Sequence, residues 1–424
     1  IDAAIKSTSD SLHDGTILPF INVKDFGAKG DGVTDDSSSI NSAITSTNGG
    51  TIYFPDGDYK ITSPIVISSY GTTILGRARN STTSSNGTRI LNYGTSTHAF
   101  TCSTGVNSAT IKDLSIIGQT GSSDGIYFDS GSIGHVNLIN LYIEVKNNGI
   151  NVSPGDGVHL YCEAVRIYGG NIPFNFVSGG VVINNITCVN CYAQNATSNS
   201  GFKIDKVGNF IGINSSSDNN FYGWEMVDAQ CTFIGCTAEN NSSKGFYGHG
   251  GANYTFVSPY TYSQLMPFEI NNANANATFI NPRTDGTPSG ASINIASSNG
   301  DCTLMGRPLL DGGLQGSSQT NFALYTDSNG IYTGKDLSVG VVGKTLKIKE
   351  GSNAKMGTVA LSSGHVTVST TALTSSSRIF LQHQTGSNPG FLYVSNKFIG
   401  TSFDITSSNG SDSSTIAWLL IEGL

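Results

Sequence analysis

A two-residue phrase recurs through the middle of the chain. Gly125-Ile126, Gly149-Ile150, Pro173-Phe174, Gly201-Phe202, Gly223-Trp224, Gly245-Phe246 and Pro267-Phe268 each set a small or kinked residue before a large apolar one, at steps of 24, 24, 28, 22, 22 and 22 residues. Repeats of this length belong to stacked architectures, in which no single unit can bury its apolar face alone. Helical units would need apolar residues at i, i+3, i+4 and i+7 along a sustained stretch. Here the apolar clusters are short, β-branched or aromatic, and separated by Asn, Ser and Gly. They predict the coils of a single-stranded parallel β-helix, an all-β solenoid whose successive turns lie about 4.8 Å apart. Equivalent residues then form ladders, and Phe174, Phe202, Trp224, Phe246 and Phe268 should pile into one internal stack.

A second register runs through Leu141, Val165, Val189, Ile211, Ile234, Val257 and Ile280, with Ile143, Ile167, Cys191, Ile213, Cys236, Pro259 and Pro282 two residues further on. Both positions are expected to point inward, with one outward residue between them. The ends of the solenoid need covers. At the N-terminal end DDSSSINSAI (35–44) reads as a short amphipathic capping helix. The repeat phase stops near residue 305, which predicts a β-helix over 21–305 after an N-terminal neck or linker at 1–20. Residues 306–340 read as a linker. Residues 341–424 hold alternating strands such as TLKIKEG, HVTVSTT, SRIFLQHQ, TSFDITSS and TIAWLLIEG, and predict a small antiparallel β-sandwich-like domain.

Composition narrows the function. The net charge of −8 and the lack of a basic stripe argue against a nucleic-acid partner, and no apolar run is long enough for membrane insertion as a spanning helix. The seven cysteines, at loose spacing, predict buried thiols rather than a disulfide framework. GDGVTDD (30–36) lacks the twelfth-position carboxylate of a calcium loop and reads as a tight turn before a helix; no metal and no cofactor are expected. The chain begins with Ile, which suggests that a segment before residue 1 is missing.

INVKDFGAKGDGVTDDSSSINSAI and GGTIYFPDGDYKIT, within 21–62, resemble the start of the pectate-lyase-like superfamily of right-handed parallel β-helices. The C-terminal stretch KTLKIKEGSNAKMGTVAL through STIAWLLIEG resembles a terminal β-domain of phage tail and tailspike proteins. Together the resemblances imply a bacteriophage tailspike that degrades a bacterial capsular or surface polysaccharide, located in the virion tail. They also imply a homotrimer, with the C-terminal domain serving trimerisation or glycan binding, and other tail or baseplate proteins as partners through the missing N-terminal part. Neither stretch carries a catalytic residue.

Cleavage of a glycosidic bond by hydrolysis needs two carboxylates facing one groove. In the first register the outward column should run Tyr127, Asn151, Asn175, Lys203, Glu225, Tyr247, Glu269, with Asp205 and His249 one step along the same face. Glu225, Glu269 and Asp205 are the candidate catalytic groups. Tyr247, His249 and Lys203 are the candidate sugar contacts beside them, and a neighbouring carboxylate with partial burial should raise the pKa of any general acid. The second register offers a rival surface, with Glu144, Tyr168, Tyr192, Asn214, Thr237, Tyr260 and Arg283 in one outward column and Arg166 alongside. Tyr168, Tyr192, Arg166 and Arg283 suit docking of a polysaccharide by stacking and by pairing with acidic groups. Glu163 and Glu239, near turns, could complete a site shared between subunits. A polysaccharide lyase would instead use Lys203, Tyr247 or His249 as base, and a glycan-binding fibre or adhesin would need no convergent carboxylates at all.

Overall fold

The computed structural model describes residues 20–305 and 350–422, less short breaks such as 81–85, 153–157 and 296–301, together with strands at 309–310, 314–316 and 322–324. The chain divides into two compact units, residues 1–332 and 333–424.

The first unit is a parallel β-solenoid with three strand-bearing faces per coil. In the middle of the solenoid the first face contains Ile183–Val189, Val207–Ile213, Cys231–Ile234, Asn253–Val257 and Asn276–Ile280. The second contains Tyr192–Gln194, Ser216–Asp218, Thr237–Glu239, Tyr260–Tyr262 and Arg283–Asp285. The third contains Ser200–Asp205, Tyr222–Val227, Lys244–His249 and Met266–Ile270, within a ladder of 11 strands.

The predicted aromatic pile is present on the third face. Phe174 and Phe202 stack at 4.2 Å between centroids, Phe202 and Trp224 at 3.9 Å, Trp224 and Phe246 at 5.8 Å, and Phe246 and Phe268 at 5.0 Å. All five rings are fully buried. Where glycine precedes a ring, at 223 and 245, the next coil lies against it. A Cβ on Gly223 would stand 2.5 Å from the carbonyl oxygen of Gly245, and one on Gly245 would stand 2.6 Å from that of Pro267.

The second register departs from the expectation. Leu141, Val165, Cys191, Cys236, Pro259 and Pro282 point inward, whereas Val189, Ile211, Ile213, Ile234, Val257 and Ile280 stand outward, Ile234 being 40% exposed. Between the first and second faces each coil places one residue in the left-handed region: Asn140, Ala164, Asn190, Asn214, Gly235, Ser258 and Asn281. Their amides bond from coil to coil, as from Asn190 to the Ile213 carbonyl and from Asn214 to that of Ile234. A single left-handed residue interrupts the two-residue alternation, so a period read straight through it slips.

The helix covers Ser37–Thr45 and buries Ile40, Ala43 and Ile44. Asp36 does not cap it by side chain; its carboxylate accepts the amides of Lys29 and Gly30 at 2.7 and 3.0 Å and so closes the turn that precedes the helix. The linker expected over 306–340 is corrected at its start. Leu309–Leu310, Leu314–Gly316 and Phe322–Leu324 continue the ladders of Arg283, Ile293 and Cys302. The rest of that stretch lies outside the described residues, as do residues 1–19 of the neck expected over 1–20 and most of TLKIKEG, while Phe20 already opens the strand Phe20–Asn22.

The second unit holds two three-stranded antiparallel sheets. Thr415–Glu422 pairs with Met356–Ala360 and Ser377–Thr385, and Ser402–Ser407 pairs with His365–Ser369 and Leu392–Phe398. Phe403, Ile405, Ile416, Trp418 and Leu420 fill the space between them. All seven cysteines are free and buried, and no described helix is long and apolar enough to cross a membrane.

Candidate functional site

The third face brings the predicted column together in its expected order. Asn175, Lys203, Glu225, Tyr247 and Glu269 are direct partners on successive coils, and Val177, Asp205, Val227 and His249 form the next column. Strand pairing fixes this arrangement, because Phe202, Trp224, Phe246 and Phe268 occupy the inward position one residue before each member.

The carboxylates are engaged differently from one another. Glu225 Oε1 lies 3.0 Å from His249 Nε2, and its Oε2 accepts the Ser200 hydroxyl at 2.5 Å. Lys203 Nζ stands 3.9 Å from the same oxygen. Burial acts to raise the Glu225 pKa, but the bonds from His249 and Ser200 and the Lys203 charge outweigh it and leave the group lowered. The rise expected of a general acid therefore does not fall on Glu225, since hydrogen bonds to the ionised form favour it. Asp205 shows the opposite balance. Burial, with Asp228 and Glu225 nearby, raises its pKa against the pull of Lys206 and Lys203. Its Oδ1 is buried without a hydrogen-bond partner.

Glu269 is 7% exposed and ion-paired with Lys244 at 3.1 Å. The same ammonium sits 3.4 Å from the centre of the Tyr247 ring, which also stacks on His249 at 4.5 Å. Burial and the two glutamates raise the Tyr247 pKa, so the phenol keeps its proton. Sequence reasoning missed Ser200 and Lys244. Both lie at strand starts, ahead of Gly201 and Gly245, outside the alternation that located the rest.

The second face has a different register from the predicted one. One column runs Tyr142, Arg166, Tyr192, Ser216, Thr237, Tyr260, Arg283, and a second runs Glu144, Tyr168, Gln194, Asp218, Glu239, Tyr262, Asp285. Tyr168 and Tyr192 therefore belong to different columns, and Asn214 sits at a corner. The corrected register brings Asp218 and Glu239 together as direct partners on adjacent coils. Burial raises the Asp218 pKa although Ser216 and Tyr192 hydrogen-bond it, and burial with the Asp218 charge raises that of Glu239. Arg166 lies over the Tyr192 ring at 4.7 Å, and Arg283 pairs with Asp285 at 2.5 Å. Glu163 accepts a hydrogen bond from Tyr161 at 3.0 Å.

Among the described residues no group of three or more His, Cys, Asp or Glu side chains is arranged to hold a metal. Asp31 and Asp36 spend their carboxylates on turn amides and a hydroxyl of 29–34, in keeping with the turn reading of that stretch.

Comparison with known proteins places this architecture. The gp42 tailspike of Acinetobacter phage vb_AbaP_AS12 has the same fold, with a TM-score of 0.60 at 12% identity over 96% of this chain and 82% of that one. Short stretches match curated relatives. A probable glucan endo-1,3-beta-glucosidase of Arthroderma benhamiae is 47% identical over 73 residues, 14% of this chain and 8% of that protein. Alginate lyase 7 of Azotobacter vinelandii is 56% identical over 43 residues, 9% of this chain and 5% of that protein. The chain thus covers under a tenth of the length of either relative. Residues 353–421 match the C-terminal domain of K1 capsule-specific polysaccharide lyase. Residues 20–246, more than half of the chain, match the rhamnogalacturonase A/epimerase, pectate lyase-like family, and the chain belongs to that family.

Proposed function

We propose that the protein binds and depolymerises a bacterial capsular or surface polysaccharide by hydrolysis on the third face of the solenoid. The observation that carries this reading is the pair Asp205 and Glu225, neighbours on adjacent coils whose environments push their pKa values apart. Such a split supports reading one as acid and the other as base. Asp205 gives its proton to the glycosidic oxygen, while Glu225 takes one from the water that attacks the anomeric carbon. Their diagonal offset combines ~4.8 Å between coils with ~6.6 Å along the strand, which corresponds to about 8 Å and suits the inverting separation of about 6.5–9.5 Å. Tyr247, His249 and Lys203 contact the sugar, and Glu269 is reassigned from catalysis to holding Lys244 against Tyr247. Tyr168, Tyr192, Arg166 and Arg283 dock the remaining chain.

The setting is a phage tail, in a homotrimer joined to other tail proteins. The likeness to the gp42 tailspike over nearly the whole chain and the capsule-lyase description of residues 353–421 support that setting. A second reading, β-elimination, is favoured by the same description and by the Glu225–His249 bond, which would orient the imidazole as a base.

One experiment tests both. Purified capsule from a susceptible host is incubated with wild-type protein, Asp205→Asn and Glu225→Gln, while chain length and unsaturated-uronate absorbance are followed. Hydrolysis predicts shortening without absorbance, and a loss of about 10²–10⁴-fold in either variant. Absorbance growing with shortening assigns elimination. Intact polymer bound by wild-type protein assigns a non-catalytic adhesin, and normal cleavage by both variants overturns the site.

A further inference from the structure

Five arginines are described in the solenoid, and three of them hold a carboxylate: Arg77 with Asp56, Arg89 with Asp58, and Arg283 with Asp285. Arg79 and Arg166 form no ion pair among the described residues, and the two occupy the same corner. Arg79 Nη1 donates to the carbonyl of Ala164 at 2.8 Å and to that of Leu141 at 3.3 Å. Ala164 lies two residues before Arg166 in the same coil, and Tyr142, next to Leu141, is the direct partner of Arg166. The two guanidinium groups are near enough for the Arg166 charge to lower the pKa of Arg79, after burial.

Each cation is nevertheless held in place. Backbone carbonyls fix Arg79, and the Tyr192 ring supports Arg166. Glu144, which belongs to the neighbouring column, accepts instead from the Tyr142 hydroxyl at 2.9 Å. Among the described residues no carboxylate lies within ion-pairing distance of either guanidinium, although the Arg166 charge reaches Asp218, so an oxyanion between the two like charges would return free energy that their approach costs. Carbonyl bonding uses one nitrogen of Arg79, so the remaining edge of its planar fork is available for a two-point contact.

We infer that Arg79 and Arg166 form a binding site for an oxyanion substituent of the polysaccharide, outside the catalytic face. With a net charge of −8 on the whole chain, an acidic polymer gains from a local cationic site of this kind. The inference rests on a polysaccharide as ligand but not on how the polymer is cut.

Ligand-observed magnetic resonance with the full chain tests it, using D-glucuronate, D-glucose and inorganic sulfate as probes. Wild-type protein should bind glucuronate in preference to glucose. Arg166→Gln, which leaves the carbonyl bonds of Arg79 in place, should weaken glucuronate about tenfold, the equivalent of one charge-assisted contact. Arg79→Gln should do the same once circular dichroism shows it folded. Sulfate displacing glucuronate at lower concentration supports the site and assigns it to a sulfated or phosphorylated sugar rather than a uronate. Equal binding of glucose and glucuronate, or unchanged glucuronate binding by Arg166→Gln, overturns the site. Glucuronate binding retained by Asp205→Asn while capsule cleavage is lost separates this site from the hydrolytic one.

Discussion

The second and third faces share the same coils and the same spacing, yet they are built on opposite terms. Behind the third face lies the aromatic pile; behind the second lie Ala193, Ser217, Ala238, Thr261 and Thr284. On the third face opposite charges meet, Lys244 with Glu269 and Lys203 with Glu225. On the second, Arg283 does pair with Asp285, but Asp218 faces Glu239 and Arg166 neighbours Arg79, like beside like. Charges that satisfy one another hold a wall in shape, whereas like charges left together store a demand that a ligand can meet. On the proposed reading, the difference gives rigidity to one wall and reception to the other, with Asp205 the proposed reactive exception on the rigid wall.

The largest effect should come from removing the backing of the third face. Trp224→Ala should destabilise the solenoid by about 3–5 kcal/mol, read as a lower denaturant midpoint at unchanged slope. The Trp224 ring stacks on both neighbours and donates its indole hydrogen to the Thr237 carbonyl at 2.9 Å. A loss near zero would mean that the pile is not what supports the face.

A smaller effect separates the faces by the sign of their pH dependence. Glu225 has a lowered folded pKa, so its stabilisation is present above the unfolded value of about 4.3 and is lost as pH falls through the folded value. Asp218 has a raised folded pKa, so the folded state holds the proton more tightly and stability drops as pH rises from the unfolded to the folded value. Glu225→Gln should therefore lower the melting temperature at neutral pH, and Asp218→Asn should raise it, with both differences shrinking in acid. Shifts of the same sign would erase the contrast between the two walls.

The smallest effect concerns the corner between the first and second faces. Ala164 occupies the left-handed ladder that Asn fills at 140, 190, 214 and 281. A left-handed non-glycine residue costs roughly 1–2 kcal/mol, a cost Asn lessens. Ala164→Asn should stabilise the protein by under ~1 kcal/mol, visible as a small rise in melting temperature; a fall would mean that the side chain, not the backbone, governs this corner.

These corners mark where sequence reading reached its limit. The third face was legible because ring and alternation coincide: Phe202 fixes the phase, and Lys203 and Asp205 follow at one and three residues. The second face was not, because Asn190 and Asn214 look like ordinary polar positions until their backbone turns, and each shifts the count of everything after it. Asp218 was lost to that slip. Arg79 was out of reach for another reason, since it meets Ala164 across 85 residues with no local pattern joining them. The capping helix and the C-terminal strands were legible because their apolar spacing is local.

One coil makes nearly all of its contacts with the coil before and the coil after, as the unbroken succession from Phe202 to Trp224 to Phe246 illustrates. Duplicating one such segment in the gene would lengthen the spindle by about 4.8 Å without redesigning its interior. A lineage built this way can retune the reach of its outer surface in discrete notches, acquiring or discarding a rung per event while the scaffold stays intact.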